Sequence, residues 1–245
     1  MVVVALRSAS VVAFLLLWEW AARAPVSFNF PSPWATLTAL LALLGSGALL
    51  GATLTSLQSL LLGMGAAVLV GVPLGLLMGV VGPVGRVARV YLDLMIALPT
   101  AALIPLVILS VGINVASSAV IVFVFSAPFV TLNAYGGVRD VRTRLVEMAR
   151  AFGASWGQLF LCVVLPSALP MILAGIRYGL SRAFVGLIVA ELLLSPFGLG
   201  RLIMTARSMF EHDRMFATVL WTLLLAGAAL AALARLEARL LRWRA

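Results

Sequence analysis

The sequence has no lysine, since all seventeen of its basic residues are arginine. A phosphate-binding loop of the G-x-x-x-x-G-K-[ST] type needs a lysine, so the chain is not its own ATPase of that class. A single cysteine, Cys162, and a single histidine, His212, leave no intrachain disulfide and no multi-cysteine metal site. The eight acidic residues are scattered rather than grouped for hydrolytic chemistry. We therefore expect no enzyme activity, and no metal or other cofactor is implied.

Charge of either sign is also scarce. Only 10% of residues are charged and 64% are hydrophobic, whereas soluble domains have roughly 25% and 45–50%. Four long runs contain no charged residue: 24–85, 94–138, 151–176 and 215–234. A helix of about 20 apolar residues crosses the ~30 Å hydrocarbon core of a membrane, so each run holds one or two crossings. The composition predicts an all-α polytopic membrane protein.

These runs and the breaker residues between them predict about six transmembrane helices. The predicted spans are roughly residues 8–22, 50–81, 89–111, 115–135, 167–193 and 215–235. A further apolar segment, 30–47, is either a seventh crossing or a short helix at the membrane interface. The placement of the arginines decides between these two alternatives.

The arginines divide unevenly between the two sides of a six-span topology. With the N-terminus in the cytoplasm, eleven are cytoplasmic: Arg7, Arg86, Arg89, Arg139, Arg142, Arg144, Arg150, Arg235, Arg239, Arg242 and Arg244. Four lie outside: Arg23, Arg201, Arg207 and Arg214. This distribution obeys the positive-inside rule, and a seventh crossing near residue 40 would reverse it. We therefore place both termini in the cytoplasm and 30–47 at the interface.

The first 24 residues also have features of a cleavable secretory signal peptide. Arg7, the apolar run 11–18 and the small residues around Arg23 match its three regions, whereas Glu19 and Trp20 do not. We favour a retained first helix. Cleavage would leave the orientation of the other five spans unchanged.

In the second span, Gly71, Gly75 and Gly79 recur at four-residue spacing. A stripe of small residues lets a neighbouring helix approach closely in a membrane. We interpret this stripe as a packing face rather than as part of a transport pathway.

The only sizeable cytoplasmic loop in this topology, 136–166, carries a candidate docking element. Residues 147–156 can form a short helix with Met148, Ala151 and Phe152 on one side. Such a helix either seats its apolar side in a groove of another protein or lies on the membrane surface. Amphipathicity alone does not separate these alternatives.

The spacing of residues in this loop is more specific. Glu147, Ala149 and Gly153 are followed at fixed distances by Leu165 and Pro166. This arrangement resembles the coupling loop of ABC importer permeases, although methionine and valine replace the family's usual alanine and isoleucine at two positions. The resemblance implies that these five residues couple the chain to a cytoplasmic ATPase subunit, and it favours docking over a membrane-surface helix.

The resemblance extends over roughly residues 85–245, to the importer branch for nitrate, sulfonate and taurine, which includes carriers of thiamin precursors. The segments that carry it are Leu98-Pro99-Thr100, Gly175-Ile176-Arg177, Val189-Ala190-Glu191, Gly198-Leu199-Gly200 and Leu236-Glu237. It implies one permease domain over 1–245, with the type I ABC importer permease fold, in a bacterial inner membrane. The implied partners are a second permease copy, cytoplasmic ATPase subunits and a periplasmic solute-binding protein. The implied solute is a small anion such as a sulfonate, taurine or nitrate, with a thiamin-precursor-like nutrient as the alternative.

Charged residues in the fifth span are candidates for the translocation pathway. If this span enters the hydrocarbon near Met171, Arg177 lies about 9 Å deep and Arg182 about 16 Å deep, close to the midplane. An arginine at that depth costs at least ~2.5 kcal/mol unless it faces a wet cavity or an acidic partner. We predict that Arg182 faces the pathway, with Arg177 and Glu191 as further candidates. The alternative for Arg182 is a structural ion pair.

Two other classes of membrane protein fit the composition. One is a secondary transporter or channel that needs no ATPase, and the other is a scaffold that transports nothing. The spacing of Glu147, Gly153 and Pro166 argues against the first class, and an arginine near the midplane argues against the second.

The arginine asymmetry generates a test of topology. We expect the 136–166 loop to face the cytoplasm and residues 195–214 to face the periplasm. In a variant without Cys162, Ser155→Cys should resist a membrane-impermeant thiol reagent added to intact cells and react after the cells are opened. Labelling of Ser155→Cys from outside intact cells would contradict this orientation.

Overall fold

The computed structural model of the chain describes residues 2–24, 30–194 and 197–242. These residues form helices joined by short turns. The α-helices are α1 (Val2–Arg23), α2 (Pro33–Gly45), α3 (Ala48–Val80), α4 (Gly82–Ala97), α5 (Ile104–Val111), α6 (Val115–Arg139), α7 (Thr143–Ala151), α8 (Trp156–Leu159), α9 (Leu165–Leu194), α10 (Gly198–Ser208) and α11 (His212–Leu240). A 3₁₀ segment, Thr100–Leu103, precedes α5, and a π-helical segment, Phe160–Val164, precedes α9.

The core is built from three long helices, with α6 packed between α3 and α9. Its central buried residues are Leu60 and Met64 from α3, Val122 and Val130 from α6, and Ala183 and Leu187 from α9. Helix α6 begins where it does because Asn114 caps it. The Asn114 side chain accepts a hydrogen bond from the Ser117 amide at 2.9 Å, and the Ser117 hydroxyl accepts one from the Asn114 amide at 3.1 Å.

Glycines allow α3 to approach α6 closely. A Cβ added at Gly75 would overlap the carbonyl oxygen of Thr131 and the side chain of Ala134, and one added at Gly79 would overlap Val138. The small-residue stripe of α3 therefore faces α6, which confirms its interpretation as a packing face.

Helix α9 uses glycines in the same way on the other side of α6. Gly175 lies against Asn133, Gly179 against Val130, and Gly186 against Phe125. The glycines of α3 and α9 thus leave space on both sides of α6, and larger side chains of α6 fill that space.

A second buried cluster joins α2, α10 and α11 to the start of α3. It contains Leu40, Leu49, Leu199 and Ala217. The Trp221 indole N–H donates to the Thr53 hydroxyl at 2.9 Å, which ties α11 to α3. Helix α2 is a short apolar helix of 13 residues, which at 1.5 Å per residue is roughly 20 Å long and too short to span ~30 Å of hydrocarbon. Its position at the interface stays a prediction.

Fewer helices than the expected six qualify as membrane spans in the part of the chain that the structure describes. Among the described residues, four helical stretches are long and apolar enough to cross a membrane: Ala48–Val80, Val115–Arg139, Trp156–Leu193 and His212–Leu240. A fifth is reached only if α4 and the Thr100–Val111 stretch count as one broken span. Helix α1 covers the first predicted span but is not among these candidates.

The predicted third span, 89–111, is broken rather than continuous. The helices on either side of the break meet at 92°. Leu98 adopts an extended conformation with ψ of 138°, and Pro99 follows it. Proline lacks an amide hydrogen and pushes the preceding residue out of the helical region, so the helix ends at Ala97.

The glycine packing generates a prediction about stability. Gly75→Ala should destabilise the protein by about 1–3 kcal/mol, because its new methyl group overlaps α6. Gly65→Ala, in the same helix, is the matched control, since its methyl group would meet no atom within 4 Å. Alanine is the better helix former, so the control should be neutral or slightly stabilising. Thermal unfolding of the two purified variants in detergent compares them, and equal melting temperatures would contradict the close approach.

Candidate functional site

The loop between α6 and α9 contains α7, α8 and the π segment. Helix α7 begins four residues before Glu147 and ends at Ala151, so the expected helix over residues 147–156 is wrong at both ends. Gly153 ends it, because its φ of +76° lies in the left-handed region that favours glycine. The Gly153 amide donates to the Arg150 carbonyl at 2.9 Å and the Ala154 amide to the Ala149 carbonyl at 3.0 Å. Gly153 thus forms the C-terminal cap of α7.

This loop exposes large apolar side chains. Phe152 is 86% exposed, and Met148 and Trp156 are also exposed. Trp156 stacks on Phe160 with ring centroids 5.9 Å apart, which fixes the direction in which its indole projects. Exposed aromatic groups held in place by their neighbours are typical of interaction surfaces.

The second half of the motif lies in a different environment. Leu165 is partly buried and packs against the cluster that contains Ala134 and Ala168. Pro166 lies in the first turn of α9, directly after the π segment. Proline cannot donate to the carbonyl four residues earlier, so a regular α-helical hydrogen-bond pattern is interrupted here. The motif therefore has an exposed first half, Glu147 to Gly153, and an anchored second half.

The three charged residues of α9 lie in three different environments. Arg177 forms an ion pair with Glu237 of α11, with 3.1 Å between its guanidinium nitrogen and the carboxylate oxygen. Glu237 is mostly buried, and Arg177 is half exposed. Sequence reasoning missed this pair because its partners are 60 positions apart and no local pattern links them.

Arg182 is exposed and lies over the ring of Phe129 in α6, 4.9 Å from the ring centroid. Tyr178, Ser181 and Val185 are exposed on the same stretch of α9. Asp93 instead pairs with Arg89 of its own helix at 3.5 Å. No carboxylate among the described residues forms an ion pair with Arg182.

Glu191 is completely buried. One of its oxygens, Oε2, accepts a hydrogen bond from the Gly200 amide of α10 at 2.9 Å. The structure therefore does not bring Arg177, Arg182 and Glu191 together around one cavity. Of these three residues, Arg182 is the one that is exposed and has no ion-pair partner among the described residues.

Comparison with known proteins relates this arrangement to a transport family. The family model described as "Binding-protein-dependent transport system inner membrane component" matches residues 71–242. A putative aliphatic sulfonates transport permease protein, SsuC of Bacillus subtilis, is 33% identical over 87% of the chain and 78% of its own length. The taurine transport system permease protein TauC of Escherichia coli is 31% identical over 87% of the chain and 79% of its own length.

A solved structure of similar fold is the inward-facing MetNI methionine ABC transporter. The match has a TM-score of 0.69 and covers 78% of the chain and 95% of the solved chain, at 20% identity. The shared fold is all-helical and is that of a type I ABC importer permease.

Proposed function

The chain belongs to the inner-membrane components of binding-protein-dependent transport systems, and from this membership we propose that it is the permease of an ATP-driven importer for a small organic anion. The single permease domain spans residues 1–245. A periplasmic binding protein delivers the solute, and two permease copies form the passage between them.

The energy enters through a separate ATPase subunit. The chain has no lysine and hence no phosphate-binding loop of its own. The surface that supports docking is the exposed half of the motif, where Glu147 and Ala149 lie on α7 and Gly153 turns the chain. Phe152 projects from this turn with 86% of its surface free. An aromatic side chain of this kind is a suitable anchor for a groove on a partner protein.

Leu165 and Pro166 complete the coupling element from the other side. They join the docking helix, through the π segment, to α9. Helix α9 also carries Arg182. A movement of the ATPase subunit is thereby transmitted to the helix that carries the proposed solute contact.

The solute class follows from Arg182 and from the relatives. An arginine exposed in the middle of an apolar span costs at least ~2.5 kcal/mol against lipid, so its open face favours a wet passage. A guanidinium donates planar, paired hydrogen bonds that match the oxygens of a sulfonate or carboxylate. The relatives named for sulfonates and taurine transport anions or zwitterions with that group. Arg177 and Glu191 do not contact the solute in this proposal. They hold α9 in place through their contacts with α11 and α10.

Docking is tested by removing the exposed aromatic anchor. Phe152→Ala should lower the affinity of the permease for its ATPase subunit by at least about tenfold, as expected for loss of an anchor worth ~2 kcal/mol. Trp34→Ala, which removes a comparably exposed aromatic from α2, is the control and should bind normally. Binding to the purified ATPase subunit in nanodiscs measures both. Unchanged affinity of Phe152→Ala would contradict the docking assignment.

The anion passage is tested at Arg182. Arg182→Leu should insert into the membrane at least as well as the parent protein, because a costly charge is removed, yet transport taurine at least about tenfold more slowly. Arg182→Lys should keep part of the activity because the positive charge remains. Arg235→Leu, at an exposed arginine of α11, is the control and should transport normally.

The measurement is taurine uptake into proteoliposomes that hold equal amounts of each variant with the ATPase subunit and binding protein. Normal uptake by Arg182→Leu would exclude a role in the passage. Loss of assembly in both Arg182 variants would indicate a structural role instead. Uptake of an uncharged nutrient but of no sulfonate by the parent protein would contradict the proposed solute class.

A further inference from the structure

Helix α10 begins without a cap from its own preceding residue. The first amides of any helix lack partners inside that helix, and Phe197, which precedes α10, offers no side-chain acceptor. The acceptors come from two other helices instead. Glu191 Oε2 of α9 accepts from the Gly200 amide at 2.9 Å, and Ser56 Oγ of α3 accepts from the Leu199 amide at 2.9 Å.

The backbone of α10 lies directly on the Glu191 side chain. A Cβ at Gly198 would overlap both carboxylate oxygens, and a Cβ at Gly200 would overlap the Glu191 Cβ. Gly198 also has a φ of +78°, in the left-handed region that favours glycine. The Gly-Leu-Gly sequence therefore creates the space that the carboxylate fills, and no room is left for an external anion.

The second carboxylate oxygen, Oε1, is buried beside Gly198 and has no hydrogen-bond partner. A charged group that acted through its charge would be expected to have both oxygens paired when it is fully buried. Oε2 is therefore the oxygen that meets the first turn of α10, and the length of the side chain places it there. The reach of the Glu191 side chain and its charge can be separated by substitution.

We propose that Glu191 is a positioning residue whose side-chain oxygen caps the N-terminus of α10 and holds α10 against α9 and α3. Helix α10 leads through a short turn into α11, so Glu191 ties one end of α11 to α9. The Arg177–Glu237 ion pair ties α9 to the other end of α11. With both ends joined, α9 and α11 move as one unit when the passage opens.

This role predicts an order of activity that differs from that of a charged pathway residue. Glu191→Gln keeps an oxygen acceptor at the same reach, so the Gly200 amide keeps its partner. Glu191→Asp keeps the charge but is one methylene too short. A positioning role therefore ranks Gln above Asp, whereas a role for the charge ranks Asp above Gln.

Hydrogen–deuterium exchange of the full chain in lipid nanodiscs tests the cap without any assay of transport. In Glu191→Asp and Glu191→Ala, amides at the start of the 198–208 peptide should exchange about tenfold faster, because the Gly200 amide loses its buried acceptor. Glu191→Gln should exchange like the parent protein. Ser56→Ala, which removes the Leu199 acceptor and the contact of the Ser56 hydroxyl with Glu191 but leaves the Glu191 side chain in place, should give a smaller increase in the same peptide. The 115–139 peptide of α6 should be unchanged throughout and reports that each variant is folded.

Taurine uptake by the same variants forms a second readout, which rests on the proposed function. The positioning role is supported if Glu191→Gln takes up taurine at close to the parent rate and Glu191→Asp does so about tenfold more slowly. The positioning role is overturned if Glu191→Asp transports taurine and Glu191→Gln does not. It is also overturned if the exchange of α10 is the same in all variants. If the parent protein carries no taurine, the proposed solute fails, while the exchange order still decides the role of Glu191.

Discussion

The close approach of α6 to both α3 and α9 is the contact on which the remaining structure depends. Lipid tails are as apolar as leucine, so burial of apolar surface drives helix association in a membrane only weakly. Dispersion between closely packed backbones must supply the attraction, and it falls off steeply with distance. Gly75 on α3 and Gly175 on α9 each bring a backbone against α6. The larger side chains of α6, such as Val130, fill the space between them.

This packing fixes the rotation of α9 about its own axis. The rotation determines which neighbouring helix each charged side chain of α9 faces. The glycine face of α9 is turned to α6, and Glu191 is turned to α10. Arg177 reaches α11. Arg182 is left on the open face, where its guanidinium lies over the ring of Phe129. The exposure of one arginine is thus a consequence of glycine positions elsewhere on the same helix.

The sequence predicted the helices well where long apolar runs determine them, because burial in a membrane requires a helix of a known minimum length. It did not predict the break at Leu98–Pro99, since proline in a membrane helix is compatible with either a kink or a complete break. The end of α7 was misplaced because it depends on the left-handed backbone conformation of Gly153, which the helical spacing of the neighbouring side chains does not reveal. The spacing from Glu147 to Pro166 was recognisable in the sequence, and its coupling role stays a prediction. The Arg177–Glu237 pair and the α10 cap join distant segments, so no local pattern could reveal them.

The coupling motif itself joins two different mechanical roles. The proposed docking requires an exposed residue, as Phe152 is, and the proposed transmission of movement requires a packed one, as Leu165 is in the cluster with Ala168. The π segment lies between these two parts and leads straight into α9. Its hydrogen bonds differ from those of the α-helices on either side, and breaks of this kind in the helical hydrogen-bond pattern are places where a helix bends. In the proposed coupling, a push on α7 therefore changes the angle at the π segment, and α9 follows with α10 and α11, which contact it through Glu191 and Arg177.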